Sequence, residues 1–167
     1  MKTIFKYGLI SALSLTIISA LLYFVSKDMD FAAQEVVGYL SIFIALSFVF
    51  FGVKAYRDKE KGGQITFFKA FGVGLLITIF PSLVFGLYNA IYVLYLDPGF
   101  ADAYAAAEIV KAQEMFSGAE LTAKIEEIEA MKEFAASPVL GSLLMFFTVF
   151  LIGIVVSVIT AVALRKK

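Results

Sequence analysis

The sequence contains no cysteine, no histidine and no tryptophan among its 167 residues. Without cysteine the chain cannot form a disulfide, use a thiolate nucleophile or build a thiolate metal site. Without histidine it lacks the commonest metal-binding side chain, the base of a Ser–His pair and the group that titrates near neutral pH. These absences exclude the usual ways in which a small protein binds a metal or catalyses a reaction.

Charge is also scarce in this chain. Only 17% of the residues are charged and 61% are hydrophobic, whereas soluble domains have about 25% charged and about 45–50% apolar residues. The 14 lysines and arginines balance 14 acidic residues, and a nucleic-acid-binding protein needs a basic surplus. The composition argues against a soluble enzyme, a disordered chain and a nucleic-acid partner, and it favours a membrane protein.

Four long apolar runs predict four transmembrane helices, at about 5–26, 36–56, 68–95 and 138–164. Each run reaches the roughly 20 apolar residues that a bilayer requires, and a spanning segment in lipid must bond its backbone internally as a helix. The segment at about 100–134 reads as two helices that break near Ser117 and Gly118. The predicted fold class is an all-α membrane protein, a single domain over 1–167 with a helical extracytoplasmic segment after the third span.

Basic residues indicate how the chain is oriented in the lipid bilayer. The amino terminus, the second connection and the carboxyl terminus together hold ten basic residues and two acids, while the other side holds four basic residues and twelve acids. Basic residues in short loops stay in the cytoplasm, so we expect both termini inside and a location in the inner (cytoplasmic) membrane. No small-residue cleavage site follows the first run, so we expect a span rather than a signal peptide.

Small residues recur every four positions in three of the spans. Small side chains let two helices approach closely in lipid, so the stripes predict packing either within the chain or against a second copy or another membrane protein. A four-residue step turns about 40° past a full turn, so one straight partner cannot follow a whole stripe. We expect the first and third helices to be the closest pair. The stripes are Gly8, Ala12, Thr16 and Ala20 in the first span, Gly74, Thr78, Ser82 and Gly86 in the third, with Ala70 and Ala90 at its ends, and Gly153, Ser157 and Ala161 in the fourth.

Two further residues of the third span are unusual. Pro81, near its middle, predicts a kink, and Ser82 and Thr78 could bond the Ile77 carbonyl that the proline leaves free. Asn89 is the only amide within a span. We expect it near the outer interface, where it could reach water, lipid headgroups or a neighbouring tyrosine, or else line a pore or a site. The spans hold no internal Asp, Glu, Arg or His, which coupled transporters normally place in the bilayer.

The segment between the third and fourth spans is acidic. Four glutamates are clustered there, namely Glu126, Glu127, Glu129 and Glu133. They could form a solvated helix face, or they could attract cations or a basic partner. Glu120 and Lys124 have the spacing of a favourable helical ion pair. We find no nucleophile with a base and no metal-ligand set, so we predict no catalytic, cofactor-binding or metal-binding residue and no cofactor.

A resemblance to a known family is carried mainly by the basic block from Phe50 to Lys59, by Gly62 to Phe67 and by Leu164 to Lys167. These residues resemble a family of small bacterial membrane proteins known as domain of unknown function 4199. The resemblance covers essentially the whole chain. It implies an inner-membrane protein, and it supplies no catalytic or binding residues.

The sequence favours a non-enzymatic membrane assembly or accessory protein that acts through helix packing. The alternative is a passive transporter or channel for a small neutral or lipid-like solute, which would use the Pro81 kink and the polar residues Thr78, Ser82 and Asn89.

Overall fold

A computed structural model describes residues 1–166, apart from the side chain of Lys27. Six α-helices occur in this part of the chain. They are α1 (Lys2–Val25), α2 (Phe31–Glu60), α3 (Phe67–Ile91), α4 (Phe100–Met115), α5 (Gly118–Ala136) and α6 (Pro138–Leu164). A short 3-10 helix, Ser26–Asp28, follows α1, and a π-helix, Tyr92–Leu96, continues α3.

Four of these helices are long and apolar enough to cross a membrane, namely Lys2–Val25, Phe31–Glu60, Phe67–Leu96 and Pro138–Leu164. The prediction of an all-α chain with four membrane-spanning helices is confirmed at this level. Helix α1 begins before the predicted span, and α2 extends beyond its predicted span at both ends. Helix α2 begins beside Asp30, whose carboxylate accepts a hydrogen bond from the Ala33 amide at 2.7 Å, as a helix N-cap does.

The predicted break in the acidic segment is also confirmed. Helix α4 ends at Met115 and α5 begins at Gly118. The backbone of Gly118 has a φ of 60°, a conformation that residues with a side chain seldom adopt. The glycine therefore lets the chain reverse between the two helices.

The chain divides into two compact units. Unit 1 comprises Met1–Phe85 and Phe146–Lys167, and unit 2 comprises Gly86–Met145. The description of 1–167 as a single transmembrane domain stays a prediction.

The interior of unit 1 combines aliphatic side chains with small polar ones. Leu15, Leu46 and Ile77 are fully buried, and residues with hydroxyl groups are buried on four helices, α1, α2, α3 and α6. Large apolar side chains face outward instead, as Leu13, Ile17 and Leu21 do along α1. Such a distribution suits a protein surrounded by lipid, where the gain on association comes from close packing rather than from hiding apolar surface. The buried hydroxyl-bearing residues are Ser11, Ser19, Ser41, Thr78, Ser82, Ser157 and Thr160.

Unit 2 contains the antiparallel hairpin formed by α4 and α5. Ala105 and Ala112 of α4 are buried. Lys132 of α5 lies 3.6 Å from the Asp102 carboxylate of α4 and 2.6 Å from Glu129 on its own helix. The ion pair between Lys132 and Asp102 joins the two helices of the hairpin.

Candidate functional site

The small residues of α3 pack against those of α6. A Cβ atom built on Gly74 would lie 2.7 Å from the Ser157 hydroxyl oxygen, and one built on Gly153 would overlap the methyl group of Thr78. The contact partner moves from Ser157 back to Gly153 on α6 as the residue on α3 moves from Gly74 forward to Thr78. The two stripes therefore interlock in antiparallel register. Ser82, Gly86 and Ala161, which are further members of the two predicted stripes, are also buried.

The small residues of the α1 stripe become progressively more exposed from the start of the helix to its end. Gly8 is buried against the ring of Phe80, and Ala12 is buried as well. Thr16 is half-buried, with its hydroxyl donating to the Ala12 carbonyl at 2.9 Å, and Ala20 is exposed. This progression is the rotation of about 40° per step that a four-residue repeat imposes on a helix.

The structure shows which helices the small residues join. The interlocked small residues join α3 to α6, whereas Gly8 of α1 lies against the ring of Phe80 on α3. That α1 and α3 form the closest pair stays a prediction. Helix α1 packs along α2, where the Ser11 hydroxyl donates to the Ala45 carbonyl at 2.7 Å. This last bond could not be predicted from the sequence, because a serine in an apolar run does not reveal its acceptor.

Pro81 is buried inside α3, and the α-helix continues through it. The Ser82 hydroxyl donates to the Thr78 carbonyl at 2.9 Å, and the Thr78 hydroxyl donates to the Gly74 carbonyl at 3.1 Å. The prediction that these hydroxyls bond the Ile77 carbonyl is wrong, because each side chain reaches back one full turn to the residue four positions earlier. The kink itself stays a prediction.

Asn89 does not present its amide nitrogen to water. Its Nδ2 atom is buried and has no hydrogen-bond partner. A Cβ on Gly141 would lie 2.9 Å from that nitrogen and 2.5 Å from the Ala135 carbonyl oxygen. The expectation that this end of the side chain reaches solvent is therefore wrong, because the close approach of Gly141 covers it. An unpaired buried amide is energetically costly.

Hydrogen bonds join the three basic segments of unit 1, which are the amino terminus, the connection between α2 and α3, and the carboxyl terminus. Ile65 and Lys166 form an antiparallel bridge, in which each amide donates to the other's carbonyl at 3.0 Å. Arg57 donates to the Leu164 carbonyl at 3.4 Å, near the carboxyl end of α6, and Thr3 of α1 donates to the Glu60 carboxylate of α2. The beginnings of α1 and α3 and the ends of α2 and α6 therefore lie at one end of unit 1, as the charge pattern predicts. We call this the basic end.

The acidic segment pairs its charges locally. Lys124 bonds Glu127 at 2.8 Å, so its predicted pairing with Glu120 is wrong. The pKa of Lys132 is raised, first by its hydrogen bond to Glu129 and further by the charges of Glu129 and Asp102, against the opposing effect of partial burial. Within residues 1–166 no group of three or more acidic side chains comes together in a way that could hold a metal ion.

The sequence pattern of the family described as "Protein of unknown function (DUF4199)" matches residues 6–166. The chain belongs to the DUF4199 family. The match runs from Lys6 of α1 to Lys166, so the bridge between Ile65 and Lys166 lies within the matched region. No curated protein matches the chain, and no solved structure does. Membership of the DUF4199 family therefore brings no known activity to these residues.

Proposed function

We propose that this DUF4199 chain is a non-enzymatic assembly or accessory protein of the inner membrane, with both termini in the cytoplasm. The observation that carries the proposal is the course of the α1 stripe. Gly8 and Ala12 are used within the chain, but Ala20 is exposed. A small residue on the lipid-facing side of a spanning helix leaves room for another helix to approach.

Helix association is tested by enlarging Ala20. We expect Ala20→Leu to reduce association with a second copy or with another membrane protein, while leaving the helix content and stability of the chain unchanged. Ala163→Leu is the matched control, because Ala163 is also exposed but lies on α6. Association is measured by chemical crosslinking in native membranes followed by identification of the captured chains. Equal capture by the two variants and the unaltered chain would contradict the proposal.

Gly74 and Gly86 are unsuitable for that test. Both are buried, and Gly74 lies directly against Ser157. A leucine at either position would disturb the interior of the protein before it affected any association.

Orientation has its own test. A reporter that is active only in the cytoplasm is fused after Met115, between α4 and α5, and after Lys61, between α2 and α3. We expect activity only from the fusion after Lys61, because basic connections stay inside. Activity from the fusion after Met115 would overturn the proposed topology without bearing on helix association.

The second candidate function, passive passage of a small neutral or lipid-like solute, is favoured by one observation. The Asn89 Nδ2, which lies in a candidate spanning helix and which Gly141 covers, has no hydrogen-bond partner, so a solute that separated these two residues could accept a hydrogen bond from it. If a solute uses this donor, Asn89→Leu should abolish flux of a small neutral solute such as glycerol into vesicles that contain the protein. Flux that is equal in Asn89→Leu and the unaltered chain would remove Asn89 from any such pathway.

A further inference from the structure

The cations of the basic end lie at different depths along the helices. Tyr7, Gly52 and Ile77 define a common level on α1, α2 and α3, because a Cβ on Gly52 would lie 2.8 Å from the Tyr7 Cβ and 2.5 Å from the Ile77 Cδ1. Three residues from three helices therefore lie side by side in unit 1.

Distances toward the basic end can be counted from this level. Lys6 is one residue from Tyr7, and Lys54 is two residues from Gly52, which correspond to about 1.5 Å and about 3 Å of helix. Lys69 is eight residues from Ile77, or about 12 Å. The Ile77 side chain leans toward the start of α3, so its Cδ1 lies nearer the basic end than its backbone does. The first cation on α1 and on α2 is thus several ångströms nearer the middle of the helices than the first cation on α3.

On α6, as on α3, the first cation lies far from the middle of the helix. Gly74 meets Ser157, and the first cation beyond Ser157 on α6 is Arg165. Apolar side chains remain exposed along this part of the pair, including Phe68 at 83% and Val162 at 52%. On α1, Phe5 and Met1 are likewise exposed beyond Lys6, at 53% and 79%. The helices therefore differ in where the first cation lies and not in how far their apolar surface extends.

Lys6 and Lys54 are both exposed, so their charges face the surroundings rather than the protein interior. The Lys6 ammonium lies 5.9 Å from the centre of the Tyr7 ring. An ammonium near the hydrocarbon boundary is costly unless its stem reaches outward or an anion comes to it. The nearest abundant anion at a membrane surface is a lipid phosphate.

We propose that Lys6 and Lys54 bind the phosphate groups of anionic phospholipid, and that this site lies deeper than the other cations of the basic end. The inference requires that the chain be in a membrane but not that it act as an accessory protein. If the lysines do not bind lipid phosphate, the proposed association of helices is unaffected. If the helices do not associate, the proposed lipid binding is unaffected.

The depth of the site predicts how lipid binding responds to salt. At 1 M salt the Debye length is about 3 Å, so exposed lysines at the tips of the helices should lose their attraction for anionic lipid. Cations at the hydrocarbon boundary, where the salt solution does not reach, should keep part of theirs.

The experiment uses the full chain in vesicles of phosphatidylcholine that contain phosphatidylglycerol. Electron paramagnetic resonance of spin-labelled lipids gives the relative association of the two lipids with the protein, at low salt and at 1 M salt. The double variant Lys6→Gln/Lys54→Gln is compared with Lys59→Gln/Lys61→Gln, which removes the same charge from the tips. Circular dichroism shows whether each variant keeps its helices, and Lys6→Arg/Lys54→Arg provides a variant that keeps the charge.

We expect the unaltered chain, the tip variant and the arginine variant to prefer phosphatidylglycerol at 1 M salt. The Lys6→Gln/Lys54→Gln variant should lose that preference, with a change of roughly fivefold for each lysine at low salt. Equal losses in the two glutamine variants, or no preference in the unaltered chain at 1 M salt, would overturn the proposal. So would binding of inorganic phosphate, measured by phosphorus NMR in pure phosphatidylcholine vesicles, without any preference for phosphatidylglycerol.

Discussion

Gly153 of α6 and Thr78 of α3 touch so closely that a Cβ on the glycine would overlap the threonine methyl group. Both residues are fully enclosed. The contact lets two helix backbones approach to a distance that no larger side chain permits, which maximises van der Waals contact where lipid offers no hydrophobic drive for association.

Gly153→Ala should therefore destabilise the protein. The added methyl group forces Thr78 or the helix backbone to move, and overpacking of this kind costs about 1–3 kcal/mol. The free energy of unfolding is measured by titration with sodium dodecyl sulfate in mixed micelles. Gly72→Ala is the control, because a Cβ at Gly72 has no neighbour within 4 Å. If Gly72→Ala lowers stability as much as Gly153→Ala does, the close contact between α3 and α6 is not the cause.

Replacing either of two buried serines by alanine should change the stability of the protein by different amounts. Ser11 and Ser157 are both 0% exposed, but Ser11 donates to the Ala45 carbonyl whereas the Ser157 hydroxyl has no partner. Ser11→Ala should cost about 0.6 kcal/mol, a typical value for a side-chain hydrogen bond between membrane helices. Ser157→Ala should cost nothing or stabilise the protein, because it removes an unpaired polar group. The same unfolding titration distinguishes the two, and a larger loss for Ser157→Ala would contradict the assignment.

The ion pair of the hairpin predicts a dependence on pH. The pKa of Lys132 is raised, so the folded hairpin holds this proton more tightly than the unfolded chain does. The resulting stabilisation is complete below the ordinary lysine pKa of about 10.4 and is lost as the pH rises through the raised pKa. NMR titration of the lysine side chains should place the Lys132 midpoint above this ordinary value.

Two variants separate the causes of that shift. Glu129→Gln should lower the Lys132 midpoint more than Asp102→Asn does, because the hydrogen bond to Glu129 is the largest cause of the raised pKa. A larger effect of Asp102→Asn would show that the contact between α4 and α5 dominates instead.

The bridge at the basic end can be broken by a single proline. Ile65→Pro removes the amide that donates to the Lys166 carbonyl, since proline has no N–H. We expect the reciprocal Lys166 amide to exchange its hydrogen with solvent faster, as measured by NMR. Ile65→Val keeps the amide and should leave that exchange rate unchanged. An unchanged rate in Ile65→Pro would show that the bridge does not protect Lys166.

The fold was largely predictable because hydropathy dominates it. Runs without charge marked the four long helices, and Gly118 marked the break in the acidic segment. Pairing between helices was less accessible: the small residues of α3 could face α1 or α6, and only the register of Gly74 with Ser157 distinguishes them. Hydrogen bonds such as that from Ser11 to Ala45 depend on which helix lies opposite, which periodicity along one helix does not contain.

The same limit applies to the candidate site. The basic residues could be counted from the sequence, but their relative depth could not, because depth requires the register of Tyr7, Gly52 and Ile77. The burial of the Asn89 amide likewise depends on Gly141, which lies far along the chain.

The interlocking of α3 with α6 has a consequence for biogenesis. Helix α3 emerges from the ribosome well before α6, so its groove of small residues has no partner while α4 and α5 are still being made. The insertion machinery or the surrounding lipid must accommodate that groove until Gly153 and Ser157 arrive. Final closure of unit 1 is therefore a late step in synthesis, and the bridge between Ile65 and Lys166 can form only once α6 has been made.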